Sequence, residues 1–157
     1  ALRIRGHVFE TPVAYCEAKP NSLGCSAAVE ASGIPSASRT SGFVVAATQV
    51  RNRRPGLLFY SVTGRSNAPF QGGVLCVRPP VQRTPAVGSN GNALPAADCS
   101  GRLSLDLNAF ASGLLGGAPA PELSTPGTRV TCQWWGRDAG DPFGTMLSDA
   151  LEYVVCP

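Results

Sequence analysis

Between Ala27 and Cys156 the chain breaks repeatedly into short runs rich in β-branched and aromatic residues, each fenced by Gly, Pro, Asn or Ser. The runs are AAVEAS (27–32), GFVVAATQV (42–50), GLLFYSV (56–62), GVLCVR (73–78), RLSLDL (102–107), TRVTCQWWG (128–136) and LEYVVC (151–156). Runs of this length and content read as strands joined by turns. RLSLDL shows the alternation most cleanly, with Leu103, Leu105 and Leu107 on one face and Ser104 and Asp106 on the other. Only LNAFASGLLGG (107–117) predicts a helical turn, and Gly113, Gly116 and Gly117 keep it short. The fold class that follows is all-β: a two-sheet β-sandwich of jelly-roll or Ig-like topology with at most one short helix. The 157 residues suit one domain at 13–157, preceded by an N-terminal arm or strand at 1–12.

Six cysteines narrow the setting: Cys16, Cys25, Cys76, Cys99, Cys132 and Cys156. No CxxC occurs, and a lone histidine, His7, excludes a multi-histidine zinc site. An even count at long spacings reads as three disulfides, hence a secreted or cell-surface protein. Cys16 and Cys25 flank EAKPNSLG, where Pro20, Asn21 and Gly24 supply turn chemistry, so these two are expected to pair. The other four leave three connectivities open. A chain beginning at Ala1 is expected to be what signal cleavage or proteolysis of a precursor leaves. No apolar run approaches the roughly 18 residues of a membrane-spanning helix. Charge is sparse at 15%, and its net value is +3. The arginines are scattered, and only Arg51, Arg53 and Arg54 cluster, which reads as a solvated loop and not as a nucleic-acid surface.

Two segments echo each other. FYSVTGRSNAPFQGGVLC and QWWGRDAGDPFGTMLSDALEYVVC each run from an aromatic strand through Gly-Arg and Pro-Phe to a cysteine, suggesting two similar hairpin-like corners. Arg65 and Arg137 take matching places there, and are expected to bond loop carbonyls or nearby carboxylates. The blocks YCEAKPNSLGC, RPGLLFYSVTGRSNAPFQGGVLCV, CQWWGRD and LSDALEYVVCP, spread over residues 13 to 157, resemble a domain, often C-terminal, of secreted proteins from planctomycetes and similar environmental bacteria. The resemblance implies a secreted β-rich module and supplies no catalytic residue. Shorter members keep counterparts of Cys76 and Cys156 alone, which implies a Cys76–Cys156 bridge and leaves Cys99 with Cys132.

Catalytic constellations are missing from the sequence, so the chain is read as a non-enzyme. His7 is the only base for a serine, no GxSxG occurs, and the cysteines are read as paired. A hydrolase built on Asp138 and Asp149 would need the two carboxylates to share a cleft; Asp141 and Glu152 are the other nearby acids. No cofactor is expected; calcium is the one candidate, at Asp138 and Asp141 of RDAGD, but without EF-hand spacing. An Asp-rich turn tied to Arg137 is the preferred reading of that stretch.

Binding is the better prospect. Along TCQWWGR, Val130, Cys132 and Trp134 share one face, and Thr131, Gln133, Trp135 and Arg137 the other. The first face is core, which leaves Trp135 beside Gln133 and Arg137 either as a contact residue, in the manner of sugar-binding sandwiches, or covered by a loop such as 79–98. In the N-terminal LRIRGHVF, Leu2 and Ile4 alternate with Arg3 and Arg5 and, with Phe9, suit a strand added to a neighbouring subunit, a first strand packed on its own domain, or the remnant of a linker. The expected function is therefore a structural or adhesive extracellular module, a subunit of a surface or filamentous assembly joined through its arm. The alternative is a carbohydrate-binding module. The expected partners are further copies, other extracellular proteins or polysaccharide.

Overall fold

Alternation along Arg129–Arg137 divides the molecule into an inside and an outside. Val130, Cys132 and Trp134 are fully buried and face the core, as their spacing predicts. The computed structural model describes residues 2–4 and 7–157, with side chains from Glu10 onward. Its strands are β1 (Leu2–Ile4), β2 (His7–Phe9), β3 (Val13–Tyr15), β4 (Ala28–Gly33), β5 (Phe43–Val50), β6 (Pro55–Ser61) and β7 (Arg65–Phe70). They continue with β8 (Gly73–Val77), β9 (Gln82–Arg83), β10 (Val87–Gly88), β11 (Gly101–Asp106), β12 (Arg129–Arg137) and β13 (Thr145–Val154).

The fold is an all-β sandwich. One antiparallel sheet runs β10-β6-β12-β13-β3, with β9 also on the free side of β6; the other runs β11-β5-β4. Between them lie Phe43, Val45, Tyr60, Leu103, Trp134 and Tyr153. Phe43 meets Tyr153 with ring centroids 4.8 Å apart. The one α-helix among the described residues, α1 (Leu107–Ala111), begins where RLSLDL ends, because Asp106 caps it by accepting from Ala109 N at 3.1 Å; a 3-10 turn follows at Pro121–Ser124. The helix sets Phe110 edge-on to Tyr60 at the rim of the core.

A third layer, absent from the sequence reading, covers the other face of the large sheet. The hairpin β7–β8 turns through Gln71 and Gly72, whose φ values of 49° and 79° make the tight turn that matches strand twist. Gln133, on the outer face of β12, is fully buried beneath it. Its Oε1 accepts from Cys76 N at 2.9 Å, and its Nε2 donates to Val74 O and Ser148 O, both at 2.9 Å. Strand β7 reads poorly in sequence because RSNAPF is polar and contains a proline; it survives as half of an isolated hairpin, where a missing N–H costs little.

Three expectations change here. Cys16 pairs with Cys76, and Cys25 with Cys99, while Cys132 and Cys156 are buried free thiols. The expected Cys16–Cys25 loop is closed by a side-chain amide instead: Asn21 Oδ1 accepts from Leu23 N at 2.9 Å and Cys25 N at 3.1 Å. That frees each cysteine to reach a different layer. The implied Cys76–Cys156 and Cys99–Cys132 bridges fail because Cys76 belongs to the outer hairpin and Cys132 faces the inner core. Cys132 lies opposite Leu151, five residues before Cys156, and both cysteines remain free thiols.

The echoing segments also part company. QWWGRDAGDPFGTMLSDALEYVVC is a single hairpin, β12–β13, whereas FYSVTGRSNAPFQGGVLC inserts the extra hairpin β7–β8 after β6. At the N-terminus, β1 and β2 pair with each other, Leu2 opposite Phe9, so the single arm strand is a hairpin. The side chains of Leu2, Ile4, His7 and Phe9 lie outside the described residues.

Under native conditions, thiol alkylation is expected to label neither Cys132 nor Cys156, since burial shuts both off and raises their pKa, that of Cys132 to about 12. Denaturation without reductant should expose two thiols per chain, and peptide mapping should recover Cys16–Cys76 and Cys25–Cys99. Recovery of a Cys76–Cys156 peptide would overturn this assignment.

Candidate functional site

The tip of the β7–β8 hairpin leans over the end of β12 and builds the site. Trp135 projects from the outer face of β12, Phe59 from the neighbouring β6, and Phe70 from the end of β7. Trp135 and Phe59 stack with centroids 6.1 Å apart at 27°, and Phe70 meets Phe59 edge-on at 6.2 Å. Trp135 Nε1 donates to Gln71 Oε1 at 2.9 Å, which fixes both the indole and the hairpin turn. These aromatic groups, with Leu57, Arg83 and Arg137, line a cleft of about 310 Å³.

The polar walls are cationic. The Arg137 guanidinium lies 4.7 Å from the centre of the Trp135 ring, over its face. Arg83 rises from β9, directly opposite Phe59 in the sheet. Both arginines are exposed, and neither enters an ion pair among the described residues.

Of the three residues predicted to bind ligand, the structure brings Trp135 and Arg137 together and withdraws Gln133. Its amide is fully buried and spent on the hairpin, so it serves the fold. Arg65 meets the expectation of a carboxylate partner, pairing with Glu152 at 3.0 Å above the Tyr15 ring. Arg137 does not: its sequence neighbour Asp138 turns the other way. Asp138 is wholly buried and accepts from Ser22 N and Ser22 Oγ, both at 2.6 Å, and from Arg51 at 3.2 Å. Arg51 is thus a structural ion-pair partner and not the solvated loop residue that its cluster suggested.

Asp141 is equally committed. Lys19, the only lysine of the chain, is buried beside it and donates to Asp141 Oδ2 at 2.6 Å, Gln71 O at 2.7 Å and Thr145 O at 3.0 Å. One ammonium therefore ties the 138–144 loop to the hairpin tip that shapes the cleft. Sequence reasoning missed Lys19; its isolation in an arginine-rich chain was the available signal. Asp138 and Asp141, the weak calcium candidates, are each engaged by a cationic side chain of the protein. Asp149 lies within β13, accepting from Val29 N at 2.7 Å, while Asp138 holds Ser22; neither lines the Trp135 cleft.

No known protein family, curated protein or solved structure matches the chain.

Strong acid should loosen the 138–144 loop. Burial works to raise the Asp138 pKa, but the bonds from Ser22 and Arg51 outweigh it and hold the carboxyl below the ordinary 3.8. The stability it contributes is complete above that value and is lost as pH falls through the lower folded value. Urea midpoints measured from pH 6 to pH 2 should therefore decline, and Asp138→Asn should be less stable at pH 6 with a shallower decline. An unchanged slope in the variant would assign the acid sensitivity to other groups.

Proposed function

We propose that the protein is an extracellular adhesive module that binds carbohydrate at the Trp135 cleft and has no catalytic role. The observation that carries this reading is the partly exposed, hydrogen-bonded indole of Trp135 in an open cleft with Phe59, Phe70, Arg83 and Arg137. A rigid aromatic wall beside planar hydrogen-bond donors suits sugar rings, whose faces are apolar and whose rims are polar. The polar groups at the walls are one amide and two guanidiniums, hydrogen-bonding groups suited to holding a ligand. Two disulfides support an oxidising, extracytoplasmic setting, and no helix among the described residues is long and apolar enough to cross a membrane.

Affinity electrophoresis through gels containing a panel of polysaccharides should retard the protein in at least one. Trp135→Leu, which stays apolar but removes the indole, should abolish the retardation while the far-ultraviolet circular dichroism spectrum keeps its β-sheet form. Equal retardation of both proteins would sink the cleft as the binding site.

A second reading, a subunit that assembles by strand addition, is favoured by a separate observation. Strand β4 is the edge of its sheet, and Val29 turns its N–H outward to Asp149. Ala31 and Gly33 share that direction by alternation and border a groove of about 410 Å³ with Thr11, Pro12 and Leu151. The occupant on this reading is the N-terminal segment of a second copy. Negative-stain microscopy should then show filaments or rings that vanish on deletion of residues 1–9. Monodisperse particles in both samples would dismiss the assembly.

A further inference from the structure

We propose that the ligand of the Trp135 cleft is an acidic polysaccharide whose carboxylate or sulfate groups are taken by Arg137 and Arg83; this rests on the carbohydrate reading above. Three observations separate an acidic sugar from a neutral one. First, the guanidinium of Arg137 already lies over the Trp135 ring at 4.7 Å. A neutral pyranose stacking on that face must displace it, whereas an acidic residue uses it in place as a charged donor.

Second, the acids nearest in sequence are spoken for. Asp138 follows Arg137 in the chain, yet its carboxylate is buried against Arg51 and Ser22, and Asp141 is bound to Lys19. The loop thus neutralises its own acids internally and leaves Arg137 without an anionic partner. Third, Arg83 stands on the same cleft with no ion pair among the described residues, and the cleft lining contains no carboxylate. Two unpaired guanidiniums beside aromatic rings form a site short of negative charge. The net charge of +3 favours approach of a polyanion from a distance.

Titration with polygalacturonate and alginate (carboxylated), dextran sulfate (sulfated), dextran and mannan (neutral) and polyglutamate (acidic, without sugar) tests this. At least one acidic polysaccharide is expected to bind tenfold or more tightly than the neutral polymers; the carboxylated and sulfated arms show which anion is preferred. Arg137→Gln and Arg83→Gln should each weaken that binding about tenfold, the loss of one charge-assisted contact. Both side chains are exposed, so melting temperatures should not move. Arg137→Lys, which keeps the charge without the planar fork, should restore only part of the affinity. Neutral and acidic polysaccharides binding equally would overturn the inference and leave the carbohydrate reading intact. Polyglutamate binding as tightly as the acidic sugars, with no effect of Trp135→Leu, would reduce it to bulk charge and overturn it as well. Binding to none of the polymers would defeat the carbohydrate reading itself.

Discussion

The buried amide of Gln133 is the contact on which the architecture outside the sandwich core depends. An amide taken out of water must replace every hydrogen bond it gives up, at a cost of about 1–3 kcal/mol for each group left unmet. Gln133 does so with Cys76 N, Val74 O and Ser148 O, thereby fastening β8 to the middle of the large sheet. Two further links converge on the same residue of the hairpin: the Cys16–Cys76 disulfide and the Tyr15 hydroxyl, which donates to Cys76 O at 2.7 Å. With its base held, the hairpin can deliver its tip to Trp135. The cleft is therefore a consequence of the third layer.

At the tip, two cations do different work. Lys19 is buried and binds the carbonyl of Gln71 while Trp135 binds its side chain, so the turn is held from both sides. Gly72 and Gly73 permit this close approach: a Cβ at Gly72 would come within 2.9 Å of the Phe143 ring, and one at Gly73 within 2.9 Å of Lys19 Cβ. Arg137, by contrast, rests on an aromatic face at the surface with its donors outward. In a chain with so few charges, burying Lys19–Asp141 and Arg51–Asp138 as pairs concentrates the unpaired positive charge of this region at the cleft.

Much of the sandwich was legible in the sequence because strand patterning is local. Each of the seven runs overlaps a strand, and the helical turn at 107 lies where Asp106 can cap it. The division of the tryptophans, Trp134 inward and Trp135 outward, also followed from alternation, and it held even though a bulge shifts the β12–β13 register between Gln133 and Trp135. Two of the seven residues lining the candidate site were equally legible: Trp135 and Arg137 share a face because they are two residues apart. Gln133 satisfied the same rule and yet is no ligand group, since parity gives a face and says nothing of what covers it.

The sequence by itself determined the strand content, the inward and outward faces and the position of the helical turn, all of which rest on neighbours within a few residues. Only the tertiary structure decided the partners of Cys16, Cys25, Cys76 and Cys99, the burial of Gln133, and the pairing of Lys19 with Asp141 and of Arg51 with Asp138. Each of these joins residues dozens of positions apart. Their meeting depends on which layer a loop crosses, and no short window of sequence carries that information. Cys16 and Cys25 are close in sequence, but Asn21 closes the turn between them and their thiols pair with Cys76 and Cys99.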